Sequence, residues 1–280
     1  MTTTYQPAIP IWCAGCGHFG VQAAMNGAIR ALEIPSHETM ILAGIGCSGT
    51  VQNNLGTYGY HALHGRVLPT AAGVHLANPD LTVIAAGGDG DGYAIGMGHL
   101  VHSFRRNASF TYVVMNNGVY GLTKGQNSPT FQSNGSAALE FDAISLGLSI
   151  PSTTFLARGF ARWTGQLDRL MVAAVEHARA GRGFAFIEVL SPCVTYNDTY
   201  PVWEASLHDL DADGDHDPTD RAAAFAKLTS LAETGRMAVG QIYRKDVAEP
   251  PASGAQPAAA DITPQANAAA YAELMSRYGV

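Results

Sequence analysis

Charge is sparse in this chain. Only 14% of its 280 residues are Asp, Glu, Lys or Arg, and 23 acidic side chains outnumber 16 basic ones, for a net charge of -7. Binding a nucleic-acid backbone requires clustered cations, so no nucleic-acid partner is expected. The adjacent pair Arg105-Arg106 follows a helical run and precedes Asn107, where cations suit a helix C-terminus. No apolar run approaches the roughly 20 residues that span a bilayer. The opening segment MTTTYQPAIPIW lacks the basic start and continuous apolar stretch of a secretory signal. A cytoplasmic protein without membrane association is expected. Cysteine is scarce as well: four residues in a chain of this size and context do not make a disulfide framework, and metal binding or redox chemistry is the better expectation. At this length the chain can bury roughly three quarters of its unfolded surface without covalent staples.

What is present is a repeated pattern of apolar runs ending in glycine or small polar residues. The run LTVIAAG feeds Gly88-Asp89-Gly90-Asp91-Gly92, and FTYVVM ends in Asn116-Asn117. Glycine lets backbone approach a bulky anion, while Asp89 offers a carboxylate and Asn117 an amide oxygen to a hard cation. A magnesium-diphosphate cradle accounts for both turns together; an ordinary glycine-rich turn would account for the first alone.

In chain order, Cys13-Ala14-Gly15-Cys16-Gly17 opens a helix whose apolar positions Val21, Met25, Ala28, Ile29 and Leu32 follow the helical period. The run from Met40 to Ile45 breaks into Gly44-Ile45-Gly46-Cys47-Ser48-Gly49, which has the spacing of the dinucleotide fingerprint. That fingerprint wants an acidic residue about 20 positions on, and none stands between Glu38 and Asp80. A loop with His61, His64, Gly65 and Arg66 precedes a helix from Pro69 to Ala77. A second helix runs from about Tyr93 to Arg106, and a polar loop covers Gly118 to Ser136. The run Thr153 to Ala157 pairs with a helix striped by Leu167, Leu170, Met171, Ala174, Val175 and Ala178. FAFIEVL then ends at Ser191-Pro192-Cys193. Alternating strands and helices predict an α/β fold, a parallel sheet with helices on both faces.

Beyond Tyr196 the periodicity fades. Residues 1–200 are expected to form the binding domain and residues 201–280 a C-terminal extension. Asp211-Ala212-Asp213-Gly214-Asp215 resembles a calcium loop only in part, since His216 and Ala222 stand where Gly and Glu are needed. Residues 247–266 read as an Ala/Pro-rich linker, and Tyr271, Leu274, Met275 and Tyr278 suggest a short docking helix. In an open parallel sheet, ligands bind beyond the carboxyl ends of the strands. Cys47, Asp89, Asn117 and Cys193 each follow a predicted strand, and Cys13 and Cys16 sit at a helix start that favours thiolates. Four thiolates can hold zinc or an iron-sulfur cluster, and spacing does not separate them; beside an organic cofactor, a cluster can accept electrons one at a time.

The segments CAGCGH, GIGCSG, HGR, LPTAAG, LANPDL, GGDGDGYAIG, NNGVYGLTKGQ and SPT, with a late SPC, together resemble the beta subunit of 2-oxoacid:ferredoxin oxidoreductases over roughly residues 10–200, with most likeness to the 2-oxoglutarate enzymes. The resemblance implies the thiamine diphosphate-binding fold. It implies magnesium on Asp89, Asn117 and the Val119 carbonyl. Thiamine diphosphate would lie against Gly46, Cys47, Ser48, Gly88, Asp89, Gly90, Asp91, Asn117, Val119, Gly121 and Leu122. One four-iron, four-sulfur cluster would be held by Cys13, Cys16, Cys47 and Cys193. Ala14 stands where relatives often have Pro, but it is a spacer.

Lys124 occupies a position where pyruvate-specific relatives commonly have Gly. A lysine there could pair with the second carboxylate of 2-oxoglutarate, or could simply be a solvated loop residue. His18, His64 and Lys124 are the candidate catalytic residues, with structural roles open for both histidines. The glutamate that activates the cofactor lies, by resemblance, on an alpha subunit, so a heterodimer or dimer of heterodimers is expected, serving ferredoxin, a 2-oxoacid and coenzyme A. The implied reaction is reversible oxidative decarboxylation of 2-oxoglutarate to succinyl-coenzyme A. The alternatives are the same reaction on pyruvate or another 2-oxoacid, a non-oxidative decarboxylase with structural zinc, and a non-catalytic assembly subunit.

Overall fold

The computed structural model describes residues 5–131, 141–245, 247 and 263–277. The described chain runs α1 (His18–Ala31), β1 (Thr39–Ala43), β2 (Tyr58–His61), α2 (Val67–Ala77), β3 (Thr82–Gly88), α3 (Met97–Arg106) and β4 (Thr111–Asn116). The hairpin β5 (Val119–Tyr120) and β6 (Gln126–Asn127) follows, then α4 (Ala143–Ser149), β7 (Phe155–Phe160), α5 (Thr164–Arg179) and β8 (Ala185–Leu190). The chain continues through α6 (Tyr200–Ser206), β9 (Leu207–Asp209), α7 (Arg221–Glu233), β10 (Met237–Arg244) and α8 (Pro264–Arg277). Eight strands make one sheet in the order β2-β1-β3-β4-β8-β7-β10-β9. The six from β2 to β7 pair in parallel.

The central strands read as near-continuous apolar runs because both faces are covered. Successive residues point to opposite sides, so Ile41, Ile84, Val113 and Ile187 pack against Val21, Met25, Leu167 and Met171 of α1 and α5. Their neighbours Leu42, Ala85, Tyr112 and Phe186 pack against Leu68, Leu100, Phe104 and Ile144 on the other face. Each fully buried large apolar side chain contributes roughly 1.5–3 kcal/mol, and the six parallel strands are thereby held with their carboxyl ends along one edge.

Beyond Tyr196 the chain departs from expectation. Residues 200–244 form α6, β9, α7 and β10 and complete the sheet, with β10 antiparallel to β7 and β9 parallel to β10. The sheet is therefore mostly rather than wholly parallel. Their pattern is hard to read because β10 carries Gly240 and a register shift between Gln241 and Tyr243, and because α7 buries only Ala224, Leu228 and Leu231. The edge strand β2, wholly exposed, is also unforeseen. Of the Ala/Pro-rich stretch, residues 248–262 lie outside the described residues, as does Tyr278. In α8, Tyr271 and Leu274 are exposed.

One ionic cluster runs through the core. Arg158 of β7 and Glu188 of β8 are register partners, and Arg158 Nε donates to Glu188 Oε2 at 2.6 Å. Arg158 also pairs with Asp142, the N-cap of α4. Burial alone would raise the Asp142 carboxyl, but Arg158 and the N-cap donors hold it below the usual carboxylate range. Glu188 Oε1 accepts from the Tyr93 hydroxyl at 2.8 Å and from Asn116 Nδ2 at 3.0 Å.

His177 of α5 is buried, with Nδ1 unpartnered. Burial, aided by Arg182 and Arg244, pulls its pKa down to about 4. In the unfolded chain a histidine takes up its proton near 6.5. Between about pH 6.5 and 4 the unfolded state thus binds more protons, and the stability present above that window falls by roughly 2–3 kcal/mol as pH drops through it. Urea unfolding at pH 7 and pH 5 is expected to show a smaller pH loss for His177→Gln than for the wild type; equal losses would contradict this assignment.

Candidate functional site

The carboxyl ends of β1, β3, β4 and β8 deliver Gly44 to Cys47, Gly88-Asp89, Asn116-Asn117 and Ser191 to Cys193 to one edge of the sheet. A cavity of about 270 Å³ opens there. It is lined by His18, Gly46, Cys47, Ser48, His64, Gly88, Asp89, Gly90, Asp91, Asn117, Val119, Gly121 and Leu122, together with Ile45, Met115, Tyr120 and Thr123. A larger groove of about 690 Å³ is lined by Thr82 and Thr111, at the amino ends of β3 and β4, away from these residues. Between β3 and α3 the chain makes a π-helical turn, Gly90–Ile95, a local irregularity common at functional sites.

Asp89 is buried. Its Oδ2 accepts from the hydroxyls of Ser128 and Thr130, the latter at 2.5 Å, while its Oδ1 accepts from the Asn117 N–H at a longer 3.4 Å. Burial pushes this carboxyl up, against the pull of the two hydroxyls and of the Asn117 N–H. The Asn117 amide oxygen accepts from the Val119 N–H at 3.0 Å, and the Val119 carbonyl accepts from the Gly121 N–H at 3.1 Å. Each of these oxygens keeps a lone pair. A carboxylate oxygen with little else to bind, an amide oxygen and a carbonyl are donors that fit a hard cation such as magnesium. Thr130 Oγ1 also lies 2.8 Å from Asn116 Oδ1. A polar chain therefore runs from Asp89 through Thr130 and Asn116 to the Glu188–Arg158 pair in the core.

The four cysteines lie within electrostatic reach of one another beside the cavity. Burial, with Cys193, Cys47 and Cys13 close by, pushes the Cys16 thiol up to about 11. Cys47 is pushed up by burial and by Cys193 and Cys13. Among the described residues no group of three or more His, Cys, Asp or Glu side chains is placed to hold a metal ion. The cysteine segments are tied from outside. The Trp12 indole donates to the Cys47 carbonyl at 2.7 Å, the Tyr200 hydroxyl to the Gly15 carbonyl at 3.2 Å, and Asn197 Nδ2 to the Asn117 carbonyl at 2.9 Å. The cavity and the sulfurs share a wall: a Cβ on Gly121 would lie 3.4 Å from Cys47 Sγ and 3.9 Å from Cys193 Sγ.

His18 is buried and neutral, its pKa pulled down to about 4 by burial. Its Nδ1 lies 2.7 Å from Ser191 Oγ. His64 Nδ1 lies 2.8 Å from Asp91 Oδ1. Asp91 is engaged by that ring and by backbone N–H groups, although it borders the cavity. Lys124 does not line the cavity; it is exposed, in a left-handed backbone conformation, next to Thr123, which does. Cys13 is exposed. Asn197, Trp12 and the Arg158–Glu188 pair escape a reading by motif, and Ser128 and Thr130 belong to the SPT segment without their contact to Asp89 being foreseen. The available signal was a lone charge in each of two apolar strands, FLARGF and AFIEVL.

Gly17 lets the first cysteine turn pack on the last. Its N–H donates to the Pro192 carbonyl at 3.1 Å, and a Cβ there would fall 2.7 Å from the Ser191 carbonyl carbon. Gly17→Ala is expected to cost roughly 1–3 kcal/mol through overpacking. Gly27→Ala, whose Cβ would have Asp168 Oδ1 3.8 Å away, should be neutral or stabilising as a helix substitution. Urea midpoints compare the two, and equal stability would refute overpacking at Gly17.

The family model described as "Thiamine pyrophosphate enzyme, C-terminal TPP binding domain" matches residues 39–189, and the model for the C-terminal part of the pyruvate ferredoxin oxidoreductase beta subunit matches residues 193–253. The 2-oxoacid:ferredoxin oxidoreductase subunit beta of Saccharolobus solfataricus is 40% identical over 254 residues, covering 84% of this chain and 82% of the relative. The 2-oxoglutarate oxidoreductase subunit KorB of Mycobacterium tuberculosis is 37% identical, covering 67% of this chain and 51% of the relative. A solved 2-oxoglutarate:ferredoxin oxidoreductase from Magnetococcus marinus, with 2-oxoglutarate, coenzyme A and succinyl-CoA bound, superposes with a TM-score of 0.79 and 32% identity. That match covers 98% of this chain and 89% of the other. No helix among the described residues is long and apolar enough to cross a membrane.

Proposed function

Because the chain belongs to the beta subunits of the 2-oxoacid:ferredoxin oxidoreductases, we propose that it carries magnesium, thiamine diphosphate and one four-iron, four-sulfur cluster in the cytoplasm. The reaction is the reversible, coenzyme A-dependent oxidative decarboxylation of 2-oxoglutarate to succinyl-CoA, with ferredoxin as electron acceptor. The observation that carries this reading is the shared wall between the cavity and the cysteines at Gly121. When bound, thiamine diphosphate supplies the electron sink for loss of carbon dioxide, and the cluster a one-electron route to ferredoxin.

Asp89, Asn117 and the Val119 carbonyl would hold the magnesium, and Cys13, Cys16, Cys47 and Cys193, drawn together by the iron, would hold the cluster. The cavity carboxylates, Asp89 and Asp91, are both engaged within this chain. No glutamate lines the cavity among the described residues, and by family resemblance the group that activates the cofactor ring lies on the alpha subunit, so this chain is half of a catalytic unit. His18, His64 and the exposed Lys124 at the loop beside the cavity orient the substrate, with Lys124 meeting the second carboxylate. The names of the KorB relatives and of the Magnetococcus enzyme support 2-oxoglutarate as substrate.

Anaerobic co-expression with an alpha subunit, followed by iron analysis and viologen reduction on a 2-oxoacid panel, tests this reading. The complex should turn over 2-oxoglutarate and the isolated chain should not, and Asp89→Ala should lose both thiamine diphosphate binding and turnover. A colourless protein with stoichiometric zinc would overturn it. Lys124→Ala is expected to raise the KM for 2-oxoglutarate by roughly tenfold, the equivalent of one charge-assisted contact, and to leave the KM for pyruvate unchanged. An equal effect on both substrates would remove the specificity role.

A further inference from the structure

Asp91 is a buried carboxylate whose hydrogen bonds go elsewhere than to the proposed magnesium. Its Oδ1 accepts three: from His64 Nδ1 at 2.8 Å, from the Gly65 N–H at 2.8 Å and from the Ile45 N–H at 3.0 Å. Two of the three donors are backbone groups, so this oxygen is committed as an acceptor. His64 meets it as a donor, and the ring hydrogen is therefore on Nδ1. The sequence keeps room for this carboxylate. A Cβ on Gly44 would fall 2.0 Å from Asp91 Oδ2, and one on Gly87 3.1 Å from it. The carboxylate side chain is fully buried, whereas the His64 side chain is 41% exposed and lines the cavity. One nitrogen of the ring is thus anchored in the protein, and Nε2 has no partner among the described residues.

We propose that Asp91 is a positioning residue that holds His64 in its Nδ1–H tautomer, so that Nε2 is the ring atom presented to the 2-oxoacid in the cavity. In that tautomer Nε2 takes up a proton from solvent, and the charged ring, paired with Asp91 at Nδ1, donates it to an oxygen of the 2-oxoacid. A buried carboxylate on the far nitrogen is the arrangement that fixes an imidazole's orientation for such exchange. The inference rests on the proposed function for the identity of the substrate, but not for the tautomer. Asp91 also ties the end of β1 to the loop that carries His64, so one side chain sets both the ring and the wall behind it.

The test uses the full complex with Asp91→Asn, His64→Gln and the double variant. Asparagine keeps the shape and an oxygen for all three donors but removes the carboxylate charge that faces the ring. Asp91→Asn is expected to lower kcat on the order of 10²-fold, with the KM for 2-oxoglutarate changed by less than about threefold. In the His64→Gln background the same substitution should cost less than about twofold more, because residues acting as one unit are not additive. An equal loss in both backgrounds, or full activity of His64→Gln, would overturn the proposal. Nitrogen-15 NMR of labelled histidine in the wild-type chain provides a readout independent of activity: His64 should show the Nδ1–H tautomer, and an Nε2–H ring would overturn it. If the wild-type complex turns over no 2-oxoacid, the functional reading fails, and the tautomer measurement still decides this one.

Discussion

The pairing of Arg158 with Glu188 across two central strands is the interaction on which the site depends. Both side chains are buried, which costs several kcal/mol of desolvation for each ion and is offset only by complete pairing. That completeness is visible: Arg158 meets Glu188 and Asp142, and Glu188 meets Tyr93 and Asn116 as well. Losing one partner of such a pair leaves an uncompensated charge, at about 3–5 kcal/mol. The consequence for the site is geometric. Glu188 fixes the Asn116 amide so that its oxygen faces the Gly118 N–H at 3.1 Å, and the turn so formed carries Asn117.

The same edge is shaped by close approach. Gly17 lets the first cysteine turn rest on Ser191, Gly44 and Gly87 leave space for Asp91, and Gly121 packs closely on the Cys47 and Cys193 sulfurs. Side chains then tie loops that no strand pairing connects. Trp12 reaches the Cys47 segment, Tyr200 the Cys13–Cys16 turn, and Asn197 joins the last cysteine segment to Asn117. The residues after Tyr196 therefore serve the site twice, by lengthening the sheet through β10 and β9 and by bracing its cysteine end.

Much of this was legible along the chain. The strands β1, β3, β4, β7 and β8 and the helices α1, α2, α3 and α5 follow strong apolar patterns, and Cys47, Asp89 and Asn117, placed at strand ends by those patterns, line one cavity, whereas Cys193 does not. Weakly patterned elements were not legible. β10 has a register shift, α7 is alanine-rich, and β2 is an exposed edge strand, so their structure is decided by what they pack or pair with. Ser128 and Thr130 reach Asp89 because the β5–β6 hairpin folds back over it, and no local pattern encodes that return.

By itself the sequence determined the α/β class and the placement of Cys47, Asp89 and Asn117 at strand ends, because periodicity and strand-end placement are local properties of a chain. Tertiary structure decided which donors each group meets. Asp89 and Asp91 stand two residues apart in the same glycine-rich turn, yet one is turned to the hydroxyls of Ser128 and Thr130 and the other to His64. That distinction arises from contacts between segments 26 to 41 residues apart, and hydrogen bonds of that separation exist only once the sheet has closed.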